Sequence, residues 1–128
     1  RVKLFSLEKE NERRRRIGRA YDEAFAGLPI KLLSGRPGAV PARHLYPIRT
    51  ERRDALAQHL ASDGIETAIH YPVPLHLQPA YAFLGHGRGD FPVSERACET
   101  ILSLPIYPGL RDEQQDAVIA AVRKFFSA

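Results

Sequence analysis

Helix and strand patterns alternate along the whole chain, and this alternation limits the folds that the sequence can adopt. Apolar residues recur at three- and four-residue spacing in four segments, which predicts amphipathic helices. The predicted helices cover residues 1–27 and 50–63 and begin again near 94 and at 112; the predicted strands cover 39–48, 65–69 and 104–107. This order predicts an α/β (α+β) sandwich, in which helices cover one side of a small sheet.

Cap and turn residues predict where several of these elements begin and end. Gly27 is expected to stop the first helix, and Thr50 is expected to cap the second. Asp112 and Gln115 have the spacing of a capping box at the start of the last helix. Pro41 and Pro47 lie in the first predicted strand, which indicates an edge strand or a strand with an irregular end.

The composition sets the size and class of the protein. The chain has 128 residues, of which 44% are hydrophobic and 27% charged, with a formal net charge of +4. This is enough for one domain with its own core. No apolar run approaches the roughly 18 residues of a bilayer span, and no secretory pattern opens the chain, so we expect a cytoplasmic protein without membrane contact. The chain lacks methionine and opens at Arg1, so we expect a piece of a longer protein.

A proline-rich segment at residues 70–81 is the main candidate for a binding site. It carries the titratable, aromatic and amide side chains of His70, Tyr71, His76 and Gln78. Prolines hold their own backbone angle and bias the preceding residue to extended geometry, so this loop loses little entropy when it binds a ligand. Rigid loops often carry function. The alternative is that His70 and Tyr71 only close the loop against the sheet.

Other kinds of active site find little support in the sequence. The four lysines, Lys3, Lys9, Lys31 and Lys124, lie at a terminus or beside charged residues, where nothing would lower their pKa for Schiff-base chemistry. No serine lies in a Gly-x-Ser-x-Gly elbow. The histidine spacing matches no familiar metal site, and the glycines at 85–89 match neither phosphate-binding fingerprint. A lone cysteine, Cys98, excludes an internal disulfide and is expected to be a small buried helix residue.

Four consecutive arginines at 13–16 raise the alternative of nucleic-acid binding, because clustered guanidinium groups neutralise phosphates. On a helix, however, consecutive residues point in different directions, and acidic residues at 8, 10, 12, 22 and 23 are available as ion-pair partners. Stacking aromatic residues are not interleaved with the arginines. We therefore expect a solvated or subunit-facing helix surface and no nucleic-acid partner.

Several short motifs follow one another along most of the chain, and their order is more specific than any of them alone. They are Asn11-x-Arg13-Arg14 with Tyr21, His44 to Ile48, Arg52 to Leu56, Gly64 to Thr67, His70-Tyr71-Pro72 with Pro74-Leu75-His76, Leu102 to Pro108, and Asp112 to Gln114. In this order they resemble the C-terminal small domain of the DegT/StrS family of pyridoxal-phosphate (PLP) dependent nucleotide-sugar aminotransferases.

The resemblance implies a fold, a reaction and a location for the cofactor outside this chain. It implies the small domain of a fold-type-I aminotransferase, with a mostly antiparallel sheet over residues 28–128 and a connecting helix at 1–27. The parent enzyme would be a homodimer that moves an amino group, usually from glutamate, onto a nucleotide-diphosphate keto-sugar, for amino-sugar, surface-polysaccharide or antibiotic-sugar biosynthesis. PLP would be bound by a lysine of a large domain outside this chain, so the fragment alone would be inactive.

The resemblance also implies residue roles. His70 and Tyr71 would lie near the bound sugar, with His76 and Gln78 as further substrate contacts. Arg13 and Arg14 would be candidate contacts to a phosphate or a second subunit. No metal ligand is implied. The alternative function is a non-catalytic ligand-binding or regulatory module with the same fold.

Overall fold

The computed structural model describes residues 1–33 and 35–127. Its four α-helices are α1 (Leu7–Ala24), α2 (Arg53–Ser62), α3 (Pro92–Thr100) and α4 (Asp112–Ser127), and its strands are β1 (Lys31–Leu32), β2 (Tyr46–Arg49) and β3 (Ile101–Leu104). Short 3₁₀ helices lie at Val2–Phe5, Leu75–Leu77 and Pro79–Leu84. Among the residues described, no helix combines the length and the apolar character needed to cross a bilayer.

The three strands form an antiparallel sheet in the order β1-β2-β3, so β2 is central and the expectation of an edge strand was wrong. Ser103 in β3 directs its backbone N–H and C=O to Ala68, away from β2. Pro47, which lies opposite Ser103, is therefore in a non-hydrogen-bonded pair with it and turns its nitrogen to the β1 side. The pairing of β1 with β2 ends at Leu32, which lies opposite Ile48. No paired residue of β1 therefore lies opposite Pro47, and the missing N–H of Pro47 removes no hydrogen bond from the sheet.

One face of the sheet carries the core. Tyr46 and Ile48 alternate along β2 and point with Leu102 and Leu104 of β3 into the helical layer. The helical layer adds further buried side chains to this core. They are Ile17 and Tyr21 of α1, Phe25 just after α1, Leu56 and Leu60 of α2, and Val118, Ala121, Val122 and Phe125 of α4. The predicted fold class, a small antiparallel sheet with helices on one side, is confirmed.

The helix ends differ from the predictions by a few residues. The first helix ends at Ala24, and Gly27 follows in a left-handed turn at φ +81°. Thr50 is not the cap of α2: Arg52 holds that place, and the Thr50 hydroxyl accepts the backbone N–H of Arg52 at 3.3 Å. The last helix begins at Asp112 as predicted, but Gln114 replaces Gln115 in the reciprocal bond, accepting the N–H of Arg111 at 3.1 Å, while Gln115 turns into the core.

Two predicted strands are placed differently. Residues 65–69 contribute only a single bridge, between Ala68 and Ser103. The N–H of Ile65 is already used at the end of α2, where it donates to the Leu60 carbonyl at 2.9 Å in a Schellman motif around Gly64. The strand expected at 104–107 lies at Ile101–Leu104 instead, because Pro105 cannot donate to a ladder.

The third helix, predicted to begin near Ser94 and to bury Ile101 and Leu102 on its apolar face, begins two residues earlier and ends before Ile101. It runs from Pro92, a favoured first residue of a helix, to Thr100, so Ile101 and Leu102 belong to β3 and not to the helix. Cys98 is half-buried in α3 and has a free thiol.

Candidate functional site

The predicted ligand-presenting loop leaves the sheet next to β3. The bridge from Ala68 to Ser103 fixes its start, and the His70–Tyr71 peptide bond that follows is cis. Gln78, which precedes Pro79, has the extended backbone predicted for a residue before proline, with ψ of 138°. Pro74 is also extended, with ψ of 149°. The loop thus has one extended residue before its first 3₁₀ turn and another between its two 3₁₀ turns.

Three of the four predicted contact residues line one cavity. Tyr71, His76 and Gln78 lie around a cavity of about 430 Å³, whose other walls are Val73, Pro74, Leu75, Phe91, Ser94, Ala97 and Cys98. The Tyr71 side chain is 69% exposed, so its ring and hydroxyl are available to a ligand. Gln78 donates an amide hydrogen to the Val73 carbonyl at 3.4 Å. An apolar wall with a few polar groups is the usual character of a small-molecule site.

The fourth predicted residue, His70, lies on the other side of the loop. Its Nδ1 is 2.9 Å from the Ser103 hydroxyl, and it lines a separate cavity of about 610 Å³ with β3 and the start of α4. The His70 ring meets that of Tyr71 edge-on, with 5.5 Å between centroids. His70 therefore anchors the loop to the sheet and supports the Tyr71 ring.

A largely buried hydrogen bond lies behind one wall of the 430 Å³ cavity, between His76, which lines the cavity, and Glu95, which does not. His76 Nε2 lies 3.0 Å from Glu95 Oε1, and the two side chains are 8% and 10% exposed. The same oxygen accepts the backbone N–H groups of Gly89 at 2.8 Å and Phe91 at 3.3 Å. The hydrogen bond from Gly89 lowers the pKa of Glu95, against the opposing effect of burial, and His76 and Phe91 lower it further. Glu95 is therefore ionised at neutral pH.

Sequence reasoning missed Glu95. Its signal in the sequence is weak: an acidic residue in the first turn of α3, three positions before the half-buried Cys98 and so on the same helix face. Ser103, the partner of His70, was likewise missed because it lies inside an apolar strand.

The arginine run is held largely by contacts within the chain. Arg13 donates to the Leu110 carbonyl and to the Asp112 carboxylate, both at 2.6 Å, and so ties α1 to the start of α4. Arg14 donates to Asn11 at 3.2 Å. Arg15 pairs with carboxylates one and two turns earlier on α1, which supports the expected ion-pair partners.

All four lysines of the chain are exposed. None lies in the desolvated apolar pocket that activates a lysine for attack on a carbonyl. The described residues can therefore bind and orient a ligand, but they offer no covalent nucleophile of this kind.

Comparison with known proteins identifies the family of the chain. A family model described as the DegT/DnrJ/EryC1/StrS aminotransferase family matches residues 1–123. The chain belongs to this aminotransferase family. The resemblance seen in the sequence is thereby confirmed.

Individual family members resemble the chain closely. It is 45% identical over 124 residues to the erythromycin biosynthesis sensory transduction protein EryC1 of Saccharopolyspora erythraea, covering 96% of the chain and 34% of that protein. It is 44% identical over 126 residues to dTDP-3-amino-3,4,6-trideoxy-alpha-D-glucose transaminase of Streptomyces venezuelae, covering 98% and 33%. The crystal structure of S. venezuelae DesV with a ketimine intermediate matches with a TM-score of 0.97 at 43% identity, covering 100% of the chain and 35% of that one. The chain thus spans about a third of the length of these family members.

Proposed function

We propose that this chain is the substrate-covering small domain of a PLP-dependent aminotransferase. The whole enzyme would move an amino group from glutamate onto a keto-sugar linked to a nucleotide diphosphate, in amino-sugar biosynthesis. The observation that carries the proposal is the match of the entire chain to DesV, at a TM-score of 0.97 and 43% identity. A transaminase of the same organism, 44% identical to the chain, is named for a dTDP-linked amino sugar, which supports this substrate class.

The cofactor would be held outside this chain. A PLP site needs a lysine that can form a Schiff base, and each of the four lysines here is exposed. The described residues therefore do not fit a PLP site, and their contribution is to bind and orient the sugar.

The loop at 70–78 suits that contribution. The Tyr71 hydroxyl and the Gln78 amide can exchange hydrogen bonds with sugar hydroxyl or keto oxygens, and the Tyr71 face can cover ring carbons. His76, whose side chain is largely buried, borders the same cavity. On the other side of the loop, His70 uses Nδ1 for Ser103 and keeps Nε2 for a sugar oxygen. We propose these four residues as the substrate contacts of the domain.

Domain boundaries and assembly form part of the same proposal. Residues 1–27 would connect a larger domain to the small domain at 28–128, although the second half of α1 already packs into the core through Ile17 and Tyr21. Arg14 would be the candidate contact to a phosphate or a second subunit, because Arg13 is engaged with α4. The whole enzyme would be a homodimer, which light scattering of the assembled enzyme would test.

A chimaera tests the proposed activity. The matching third of the S. venezuelae transaminase is replaced by this chain, and the same protein lacking that third serves as the control. We expect the chimaera, and not the control, to aminate a dTDP-keto-sugar at the expense of glutamate. A soluble chimaera that binds PLP and reacts with glutamate, but leaves the keto-sugar unchanged, would refute the proposal.

A second candidate function is a regulatory module without chemistry. The name of the S. erythraea relative, a sensory transduction protein, is the observation that favours it. This function requires the 128-residue chain to bind a nucleotide sugar by itself. Calorimetric titration with dTDP-glucose separates the two candidates: binding by the isolated chain together with an inactive chimaera would favour regulation.

A further inference from the structure

We infer that Glu95 is a positioning residue that fixes the sugar-facing loop by binding three hydrogen-bond donors with one carboxylate oxygen. Its effect on catalysis rests on the proposed function, whereas its hold on the loop is a property of the chain alone. Glu95 lines neither the 430 Å³ cavity nor the 610 Å³ cavity, so it acts on the loop through His76 and through the backbone N–H groups of Gly89 and Phe91.

The contacts of Glu95 converge on a single atom. Oε1 accepts from Gly89 N–H at 2.8 Å, from His76 Nε2 at 3.0 Å and from Phe91 N–H at 3.3 Å. An ionised carboxylate can only accept, so Nε2 of His76 carries the hydrogen. Because the carboxylate is 10% exposed, water has little access with which to replace these bonds. Hydrogen bonds to a buried charge are among the stronger ones in proteins.

These donors come from two separate segments that both border the cavity. His76 belongs to the loop with Tyr71 and Gln78, while Gly89 and Phe91 belong to the turn that precedes α3. The ring of Phe91 also packs on that of His76, with 4.8 Å between centroids. One side chain therefore sets the distance between two walls of the proposed sugar site.

Removal of the carboxylate leaves these donors without their common acceptor. In a variant Glu95→Ala the largely buried His76 ring nitrogen would lose its partner and the two part-buried backbone N–H groups would lose their acceptor, a cost that the loop can reduce by moving toward water. Since the core faces of the sheet and helices do not depend on Glu95, the movement is expected to be local. Glu95→Gln keeps an oxygen acceptor and loses the charge, so its effect should be intermediate.

Amide hydrogen exchange of the 128-residue chain tests the positioning directly. The probes are the hydrogen-bonded amides of Leu77, Gln78, Gly89 and Phe91, with core amides of β2 and α4 as an internal reference. We expect exchange at the four probes to be about tenfold or more faster in Glu95→Ala, less so in Glu95→Gln, and unchanged in the core.

The matched control is Glu99→Ala, which removes the same charge from the same helix at an exposed site paired with Arg88 and Arg96. It should leave all the probes at the wild-type rate. If Glu95→Ala unfolds the whole chain, Glu95→Gln is the deciding variant: faster exchange at Leu77 and Gln78 with unchanged exchange in the core supports the inference. Wild-type rates at these two amides in Glu95→Gln, or equal acceleration of probes and core, would overturn it.

The chimaera adds a catalytic readout. In Glu95→Gln we expect the KM for the nucleotide sugar to rise several-fold, to about tenfold, with the reaction toward glutamate unchanged, because a looser loop weakens sugar binding only. An unchanged KM in a chimaera that turns over would refute the catalytic consequence. An inactive wild-type chimaera would refute the proposed function, and the exchange data would still decide the role of Glu95.

Discussion

The Tyr21 hydroxyl offers a test of how the core holds the end of the sheet. Tyr21 is 0% exposed, and its ring packs on Phe25 and Tyr46 with centroids 5.4 and 4.9 Å away. Its hydroxyl donates to the Pro105 carbonyl at 3.0 Å, just beyond the end of β3. Burial raises the pKa of the phenol, so the hydroxyl remains a donor throughout the neutral range. Tyr21→Phe removes this bond and keeps the ring contacts.

The expected cost follows from the environment of the acceptor. Pro105 is half-buried, so water replaces the lost bond only in part, and we expect Tyr21→Phe to lower the free energy of unfolding by about 1 to 2 kcal/mol. For a chain of this length, each kcal/mol lowers Tm by about 4 °C, so the drop should be about 4 to 8 °C. Urea unfolding and calorimetry at neutral pH measure both quantities.

The matched control is Tyr107→Phe, which removes a hydroxyl from a ring that is 46% exposed. We expect this variant to stay within about 0.5 kcal/mol of the wild type. If Tyr21→Phe destabilises the chain no more than Tyr107→Phe does, the bond to Pro105 does not stabilise the fold and the reasoning is wrong.

Three further predictions concern the pH dependence of stability, the core and a close helix contact. The hydrogen bond from Gly89 holds the pKa of Glu95 below its ordinary 4.5, so the stability that ionised Glu95 contributes is present above pH 4.5 and is lost as the pH falls through the lowered pKa. The urea midpoint should therefore fall less steeply with decreasing pH in Glu95→Gln than in the wild type. Equal slopes would contradict this. Ile48→Ala should cost about 2 to 5 kcal/mol in urea unfolding, against about 0.5 to 1.5 for Ile48→Val, because Ile48 is 0% exposed on the central strand; equal costs would argue against a cavity. In Gly18→Ala the added Cβ would overlap the Arg43 side chain, so Tm should fall despite the gain in helix propensity of about 1 kcal/mol, and a higher Tm would show that Arg43 can move away freely.

The predicted elements agree best with the structure where a periodic apolar face meets the common core. The second half of α1, α2 and α4 have such faces, and each was predicted from three- and four-residue spacing alone. Strand ends were less predictable, because they depend on which backbone groups are already paired. The segment 65–69 has a strand-like apolar pattern, yet Ile65 closes α2 and only Ala68 reaches β3. β1 has just two residues, too few for any periodic signal.

In the candidate site, too, the features set by neighbouring residues in the sequence were predictable, and those set by tertiary contacts were not. Prolines and their neighbours revealed the loop, since their effect on the backbone is local. The split between Tyr71 and His70, which face different cavities, could not be read from adjacent positions in the sequence. Glu95 was invisible for a related reason: its burial depends on His76, which lies 19 residues earlier in the chain.

Prolines and the Glu95 carboxylate act on the loop in complementary ways. Pro72, Pro74 and Pro79 reduce the number of backbone conformations open to the loop, but a stiff segment can still swing about its ends. The bond between His76 and Glu95 selects one position of that stiff segment relative to α3. Loss of a proline should therefore raise disorder within the loop, whereas loss of Glu95 should displace the loop as a unit. Under the proposed function, a domain without a reactive lysine would influence amino transfer to the sugar in this way, by presenting Tyr71 in a fixed place before the substrate arrives.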